Sequence, residues 1–440
     1  TFQEIDQVAI MRGCTKWTQQ IIDVRRIPEM VNTAFQKAMG GKPGPVYLDC
    51  PADIIYSEIP EEDVRWGLSG RPILRPRPQG EKAQVEKLIA ALAKAKNPII
   101  LTGTGVIWSQ AWPELTQFVE KAGIPFYTTP QGRGVLPDDH PLSFLTMRSS
   151  AFKDADLILI VGTRMNYVIG HAAPPRFAAG ATIARIDIDA DEIASSPRKV
   201  DIGIVGDCKA VLQQLIDLLP GRVDAANYGP WREMLRAGEA KKKGETAGGM
   251  AMNKTPIHPL RLCEEVKNFM KRDAILCVDG QEILNYGRQS MPTFAPAHRL
   301  NSGPFGMMGV GMPFGVGAKA ACPDKQVIVV HGDGSFGLNA MELDTAVRHK
   351  LPILVVISLN GGWTADPKRE KTGRDLGYTR YDKMAEGLGC YGEYVEKPED
   401  IGPALVRAQK KVDEGMVALV NVKTDDTARA GTVAFSSHST

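Results

Sequence analysis

The stretch HGDGSFGLNAMELDTAVRHKLPILVVISLNGG, His331 to Gly362, decides the fold. An apolar run, Val327 to Val330, leads into Gly332-Asp333-Gly334-Ser335, a pattern that predicts a buried strand ending in a glycine-bracketed turn. A helical stretch follows, then a second apolar strand, Ile353 to Ser358, which stops at Asn360. Asp333 and Asn360, 27 residues apart, are therefore expected at the carboxyl ends of two parallel strands joined by one β-α-β step. Open α/β sheets bind their ligands at that edge. Gly334 and Ser335 open the helix, and its free N–H groups favour a phosphate. An Asp carboxylate, an Asn amide oxygen and a nearby backbone carbonyl are hard oxygen donors that, with a diphosphate, suit octahedral Mg²⁺. The bland alternative is a β-turn Asp and a strand-end Asn with no ligand.

The rest of the chain sets bounds. Its 440 residues are enough for two or three domains with real cores. A net charge of +2 gives no reason to expect nucleic acid as a partner. No apolar run of about 18 residues suggests a membrane span. Seven cysteines (Cys14, Cys50, Cys208, Cys263, Cys277, Cys322, Cys390) show neither CxxC nor zinc spacing. An odd count in a long chain points to free thiols in a reducing cytoplasm. There is no signal peptide, and Thr1 in place of Met hints that the start is missing.

Working outward, Ile27-Pro28-Glu29 reads as a helix start, and Gly44 to Asp49 as a turn and strand. Arg71 to Pro78 is proline-rich and basic, a linker. From Ala83, strands near Ile99–Leu101, Pro125–Tyr127, Leu157–Val161 and Ile183–Ile188 alternate with helices, which argues for a parallel α/β domain closed by Ala210 to Leu219. Residues 221–255, with Lys241-Lys242-Lys243 and Gly248-Gly249, read as an exposed linker. A further α/β block has strands at Ala274–Val278, Val327–Val330, Pro352–Ile357 and Val417–Val422.

These features together resemble thiamine-diphosphate enzymes of the acetolactate-synthase and oxalyl-CoA-decarboxylase superfamily. Lys42-Pro43-Gly44-Pro45-Val46-Tyr47-Leu48-Asp49-Cys50-Pro51-Ala52-Asp53 looks like the end of that family's pyrimidine-binding domain. Gly306-Met307-Met308-Gly309, followed by Gly315 and Gly317, looks like the element facing the cofactor's aminopyrimidine. The implied fold is α/β, three parallel-sheet domains of which the first is incomplete at its N-terminus. The implied divisions are 1–62 (pyrimidine-binding, C-terminal part), 63–82 (linker), 83–220 (central), 221–255 (linker), 256–424 (pyrophosphate and Mg²⁺) and 425–440 (a tail, either a lid or disordered). Tyr378 to Gly389 leans toward the CoA-thioester branch, and Asn360-Gly361-Gly362-Trp363 toward its 2-hydroxyacyl-CoA lyases. Such an enzyme reversibly cleaves a 2-hydroxyacyl-CoA to formyl-CoA and an aldehyde or ketone. An oxalyl-CoA decarboxylase, an acetolactate-synthase-type carboligase, and a cofactor-binding subunit inert without a partner remain as alternatives.

The resemblance also assigns roles. Asp333, Asn360 and the Gly362 carbonyl hold Mg²⁺, while Gln281, Glu282, Ile283, Gly334 and Ser335 meet the diphosphate end of the cofactor. The Gly306 carbonyl accepts from the 4′-amino group, beside Met307, and Met308 supports the bend of the thiamine diphosphate, whose ring system supplies the electron sink. The bland alternative for Met308 is gap-filling core. Glu282 is read as acting more through its backbone than its carboxylate. His258 either approaches the cofactor or is a satisfied structural histidine, and Trp363 shapes the carbonyl pocket. In the central domain, Gly103-Thr104-Gly105 and Gly162-Thr163-Arg164, with Asp187 and Asp189 near a strand end, suit ADP or the nucleotide of CoA. Arg288 and the tail at Phe435, Ser436 and Ser437 are CoA candidates. Lys368-Arg369-Glu370-Lys371 reads as a solvated loop. The family's pyrimidine-binding domain normally begins roughly 100 residues, about a domain's worth, upstream of Thr1. That part carries the activating glutamate, so no residue here takes its role. A homodimer or homotetramer is implied, with an acyl-CoA substrate and a separate chain as one source of the missing segment.

Overall fold

The computed structural model describes residues 5–67, 72–250, 252–363 and 370–430, the side chains of 246–250 excepted. Two parallel sheets dominate. The first runs in the order Phe126–Thr128, Pro98–Thr102, Leu157–Val161, Thr182–Asp187, Ile202–Val205. Pro98–Thr102 and Leu157–Val161 are buried at every position, as strands covered on both faces must be. Their side chains alternate between two cores: Leu157, Leu159 and Val161 on one face, Ile158 and Ile160 on the other.

The second sheet runs Tyr391–Val395, Ala418–Lys423, Leu354–Leu359, Val327–Gly332, Ile275–Asp279, Arg299–Leu300, again all parallel. After Ile275–Asp279 the chain adds Arg299–Leu300 on one side and then Val327–Gly332 on the other. The strand order therefore switches beside Ile275–Asp279, and ligands of open sheets gather at such a switch.

Ahead of these lies a small β-α-β unit in which Trp17–Gln20 pairs in parallel with Val46–Asp49, joined by the helix Ile27–Met39. Among its described residues only Ile21 and Ala34 are buried, and Ile22, Phe35 and Tyr56 are exposed.

Residues 221–255 are not an exposed linker. They contain the helix Gly229–Met250. Tyr228, Trp231 and Leu235 are buried against the first large sheet, with Tyr228 Oη donating to Leu92 O at 2.7 Å and Trp231 Nε1 to Pro98 O at 3.1 Å. The lysines and glycines that suggest a linker lie further along, and the aromatic anchors before them decide the outcome.

Candidate active site

Asp333 and Asn360 follow directly on neighbouring strands, whose register pairs Gly332 with Ser358. Both side chains line one pocket at the carboxyl edge, together with Gln281, Glu282, Ile283, Met308, Gly334, Ser335, Gly362 and Trp363. The Asp333 carboxylate is buried and splayed between the two strand ends: Oδ1 accepts from Gly334 N at 2.8 Å, Oδ2 from Gly361 N at 2.6 Å. Asn360 Oδ1 accepts from Gly362 N at 3.3 Å. Ser335 Oγ sits 3.0 Å from both Gly332 O and His331 Nδ1. Glycine at 334 is a matter of space, since a Cβ there would lie 3.0 Å from the Trp363 ring.

The wall opposite is the turn that carries Met308. Gly306 and Gly309 take left-handed conformations, φ +63° and +93°, which glycine adopts without steric cost. Met308 faces the pocket, whereas Gly306 and Met307 are exposed and lie outside its lining. The Glu282 carboxylate is engaged by a backbone amide: Oε2 accepts from Ala430 N at 2.7 Å and ties down the end of the described chain. His258 is the satisfied structural histidine. Its Nδ1 accepts from Leu260 N at 3.2 Å at the start of the helix Pro259–Phe269, it packs edge-on to Tyr286, and burial lowers its pKa.

Among the described residues no cluster of three or more His, Cys, Asp or Glu side chains could hold a metal ion. A cation at this edge would rely on one carboxylate and neutral oxygens, a donor set suited to a hard divalent ion bridging to phosphate.

Comparison with known proteins agrees with this geometry. Residues 284–422 match the thiamine pyrophosphate enzyme C-terminal TPP-binding domain, and residues 85–215 match the central domain of the same enzymes. A 2-hydroxyacyl-CoA lyase of Arabidopsis thaliana is 32% identical over 465 residues, covering 98% of this chain and 78% of the plant protein. The chain belongs to the thiamine pyrophosphate enzyme family. An acetolactate synthase large subunit of Mycobacterium tuberculosis is also 32% identical, over 97% of this chain and 76% of its own. An oxalyl-CoA decarboxylase of Escherichia coli is 27% identical over the same shares. Thiamine diphosphate is thus the cofactor of the family to which this pocket belongs.

Two further cavities complete this family member. The first, in the central domain, is lined by Thr104, Gly105, Gly162, Thr163, Arg164 and Asp187. Asp187 ends its strand. Burial raises its carboxyl, opposed by the Asp189 N–H and by Arg185. Asp189 does not line the cavity; it receives Lys42 Nζ at 3.1 Å, from the N-terminal unit. Arg164 is largely exposed, with Glu192 3.9 Å away.

The second cavity, about 1510 Å³, lies between the central domain, the helix Gly229–Met250 and the C-terminal domain. Arg288 lines it, apart from Arg164 and Asp187, so the residues read together as a nucleotide set divide between two sites. Arg133, Arg148 and Arg176 join Arg288 there, and sequence reading missed all three. Arg148 Nε and Nη2 and Arg288 Nε are buried with no hydrogen-bond partner among the described residues. Burial first, then the like charges of Arg176 and Arg133, pull Arg148 down to about 10. Several acids on this wall are already engaged: Asp138 with Arg133, Asp139 with Arg272, Glu239 with Lys243, Glu264 with Lys267, Glu265 with Arg261. Three guanidinium nitrogens on this wall, Arg148 Nε and Nη2 and Arg288 Nε, thus carry no protein partner among the described residues. Phe435, Ser436, Ser437, Lys368 and Arg369 lie outside the described residues.

Proposed function

We propose that this protein is a thiamine-diphosphate-dependent 2-hydroxyacyl-CoA lyase that reversibly cleaves a 2-hydroxyacyl-CoA to formyl-CoA and an aldehyde or ketone. The observation that carries the reading is the arginine-lined cavity. Arginine guanidinium groups fork readily onto phosphate oxygens, and nitrogens of Arg148 and Arg288 that lack a partner among the described residues are costly to bury. A substrate bearing a phosphorylated nucleotide supplies what they lack, whereas a small 2-oxo acid such as pyruvate does not. The helix Glu282–Ser290 starts at the cofactor pocket and carries Arg288 near its other end. Glu282 and Arg288 are separated by a rise of about 9 Å along it. An extended ligand anchored by phosphate at Arg288 would thus lie in line with the cofactor pocket.

Asp333, Asn360 and the Gly362 carbonyl would hold Mg²⁺, and the N–H groups of Gly334 and Ser335 would meet the diphosphate. Met308 would support the bent cofactor, which supplies the electron sink for the C–C bond. Trp363 would close the pocket beside the carbonyl partner and keep water out. The central cavity, with Arg164 and Asp187, would take ADP or another nucleotide.

A homo-oligomer, dimer or tetramer, fits the exposed apolar side chains of the N-terminal unit and those around the cofactor pocket, among them Phe305, Met307 and Leu338. A second copy or a separate polypeptide would cover both. No described helix is long and apolar enough to cross a membrane, and seven free cysteines fit a reducing cytoplasm.

Calorimetric titration tests the reading. CoA should bind wild-type protein and bind Arg288→Met and Arg148→Met variants far more weakly. Equal CoA affinity in all three would overturn it.

A further inference from the structure

Asp279, which no motif singles out, is 2% exposed and ends the strand Ile275–Asp279. Its Oδ2 accepts from Gly309 N at 2.8 Å and Gly311 N at 2.9 Å, and its Oδ1 from Gly280 N at 2.7 Å. Charge-assisted bonds of this kind are stronger than neutral ones. On the other side of the turn, Asn339 Nδ2 donates to Gly309 O at 2.8 Å. Asn339 is the residue that ends the helix Asp333–Leu338, whose first residue is the candidate metal ligand. Gly309 is thus held at its N–H by one strand end and at its carbonyl by the helix of the metal and diphosphate site.

We propose that Asp279 and Asn339 are positioning residues for the cofactor: they clamp Gly309 and so fix Met308 relative to Asp333. Gly309 is the residue after Met308, and its φ of +93° is one that residues with a side chain rarely adopt. A Cβ there would lie 2.9 Å from Asn339 Nδ2 and 3.0 Å from Leu338 Cβ. Met308 cannot shift toward or away from Asp333 without breaking one of the two anchors. The diphosphate end and the ring end of the cofactor are thereby kept at a set spacing. This rests on the pocket taking thiamine diphosphate, and the test separates the two claims.

Wild-type, Asn339→Ala and Asp279→Asn proteins would be titrated with Mg²⁺ and thiamine diphosphate and, separately, with Mg²⁺ and inorganic pyrophosphate. Tryptophan fluorescence reports binding, since the Trp363 ring lies against Gly334. Pyrophosphate should bind all three alike, while thiamine diphosphate weakens about tenfold in each variant, the scale of one lost hydrogen bond to a buried group. Asn339 is exposed, so its variant should fold even if Asp279→Asn does not. Unchanged thiamine diphosphate affinity in Asn339→Ala, or equal losses for both ligands, would overturn the clamp. A wild-type protein that binds pyrophosphate and no thiamine diphosphate would overturn the cofactor assignment instead.

Discussion

Replacing Asp333 by Asn probes the metal edge with almost no change of shape. Its two oxygens each receive a backbone N–H, from Gly334 at 2.8 Å and Gly361 at 2.6 Å. An amide keeps one acceptor and turns an NH₂ toward the other N–H. One of the two N–H groups then faces an NH₂ in place of an oxygen, at about 2 kcal/mol. For a domain of this size that is about 4–8 °C in Tm. The effect on the cofactor should be larger. Asp333 is the only charged donor among the three proposed metal ligands, and its loss removes about 3 kcal/mol, or about a hundredfold in Mg²⁺-dependent thiamine diphosphate affinity. Melting curves without ligand read the first effect, and fluorescence titration at fixed Mg²⁺ reads the second. A variant that binds the cofactor within about threefold of wild type, with the same Mg²⁺ requirement, would refute the reasoning.

Three other outcomes are expected. Arg288→Met should lose about tenfold to a hundredfold in CoA affinity, the range for a hydrogen bond to a charged group, while thiamine diphosphate affinity is untouched; calorimetry checks both. Arg148 is a base whose pKa in the folded state is pushed down to about 10 by burial and by neighbouring arginines. Its charge therefore costs stability at neutral pH, and the cost begins to lift only as pH climbs past that value. Adding CoA at pH 7 should raise Tm, and Arg148→Met should melt higher than wild type without ligand; a lower melting point would contradict the unpaired-charge account. Trp231→Ala should cost about 3–5 kcal/mol by thermal or denaturant unfolding, because the ring is buried and its Nε1 bonds to Pro98 O.

What the sequence conveyed followed from local pattern. Val327 to Val330 and Ile353 to Ser358 are continuous apolar runs, and such runs read as doubly covered parallel strands. Asp333 and Asn360 were placed correctly because they sit directly at the ends of those runs. Trp17–Gln20 escaped notice, being mostly polar and half exposed. Ile202–Val205 did too, an edge strand only four residues long with alternating burial. The helix Gly229–Met250 was hidden by its lysines and glycines, although Trp231 and Leu235 at its start determine where it packs. The arginine cavity was invisible for a different reason. Arg133, Arg148, Arg176 and Arg288 are far apart along the chain, and only the packing of two domains brings them onto one wall. Asp279 gave no signal either, because its partners at Gly309 and Gly311 are backbone groups of a turn about 30 residues away.

The measurement that bears most directly on the proposed function is mass spectrometry of the CoA products. The purified protein would be incubated with Mg²⁺, thiamine diphosphate and a short 2-hydroxyacyl-CoA, with oxalyl-CoA in a parallel reaction. Formyl-CoA together with an aldehyde or ketone from the first substrate is the predicted result. An untouched 2-hydroxyacyl-CoA, with oxalyl-CoA converted to formyl-CoA and carbon dioxide, would contradict the account.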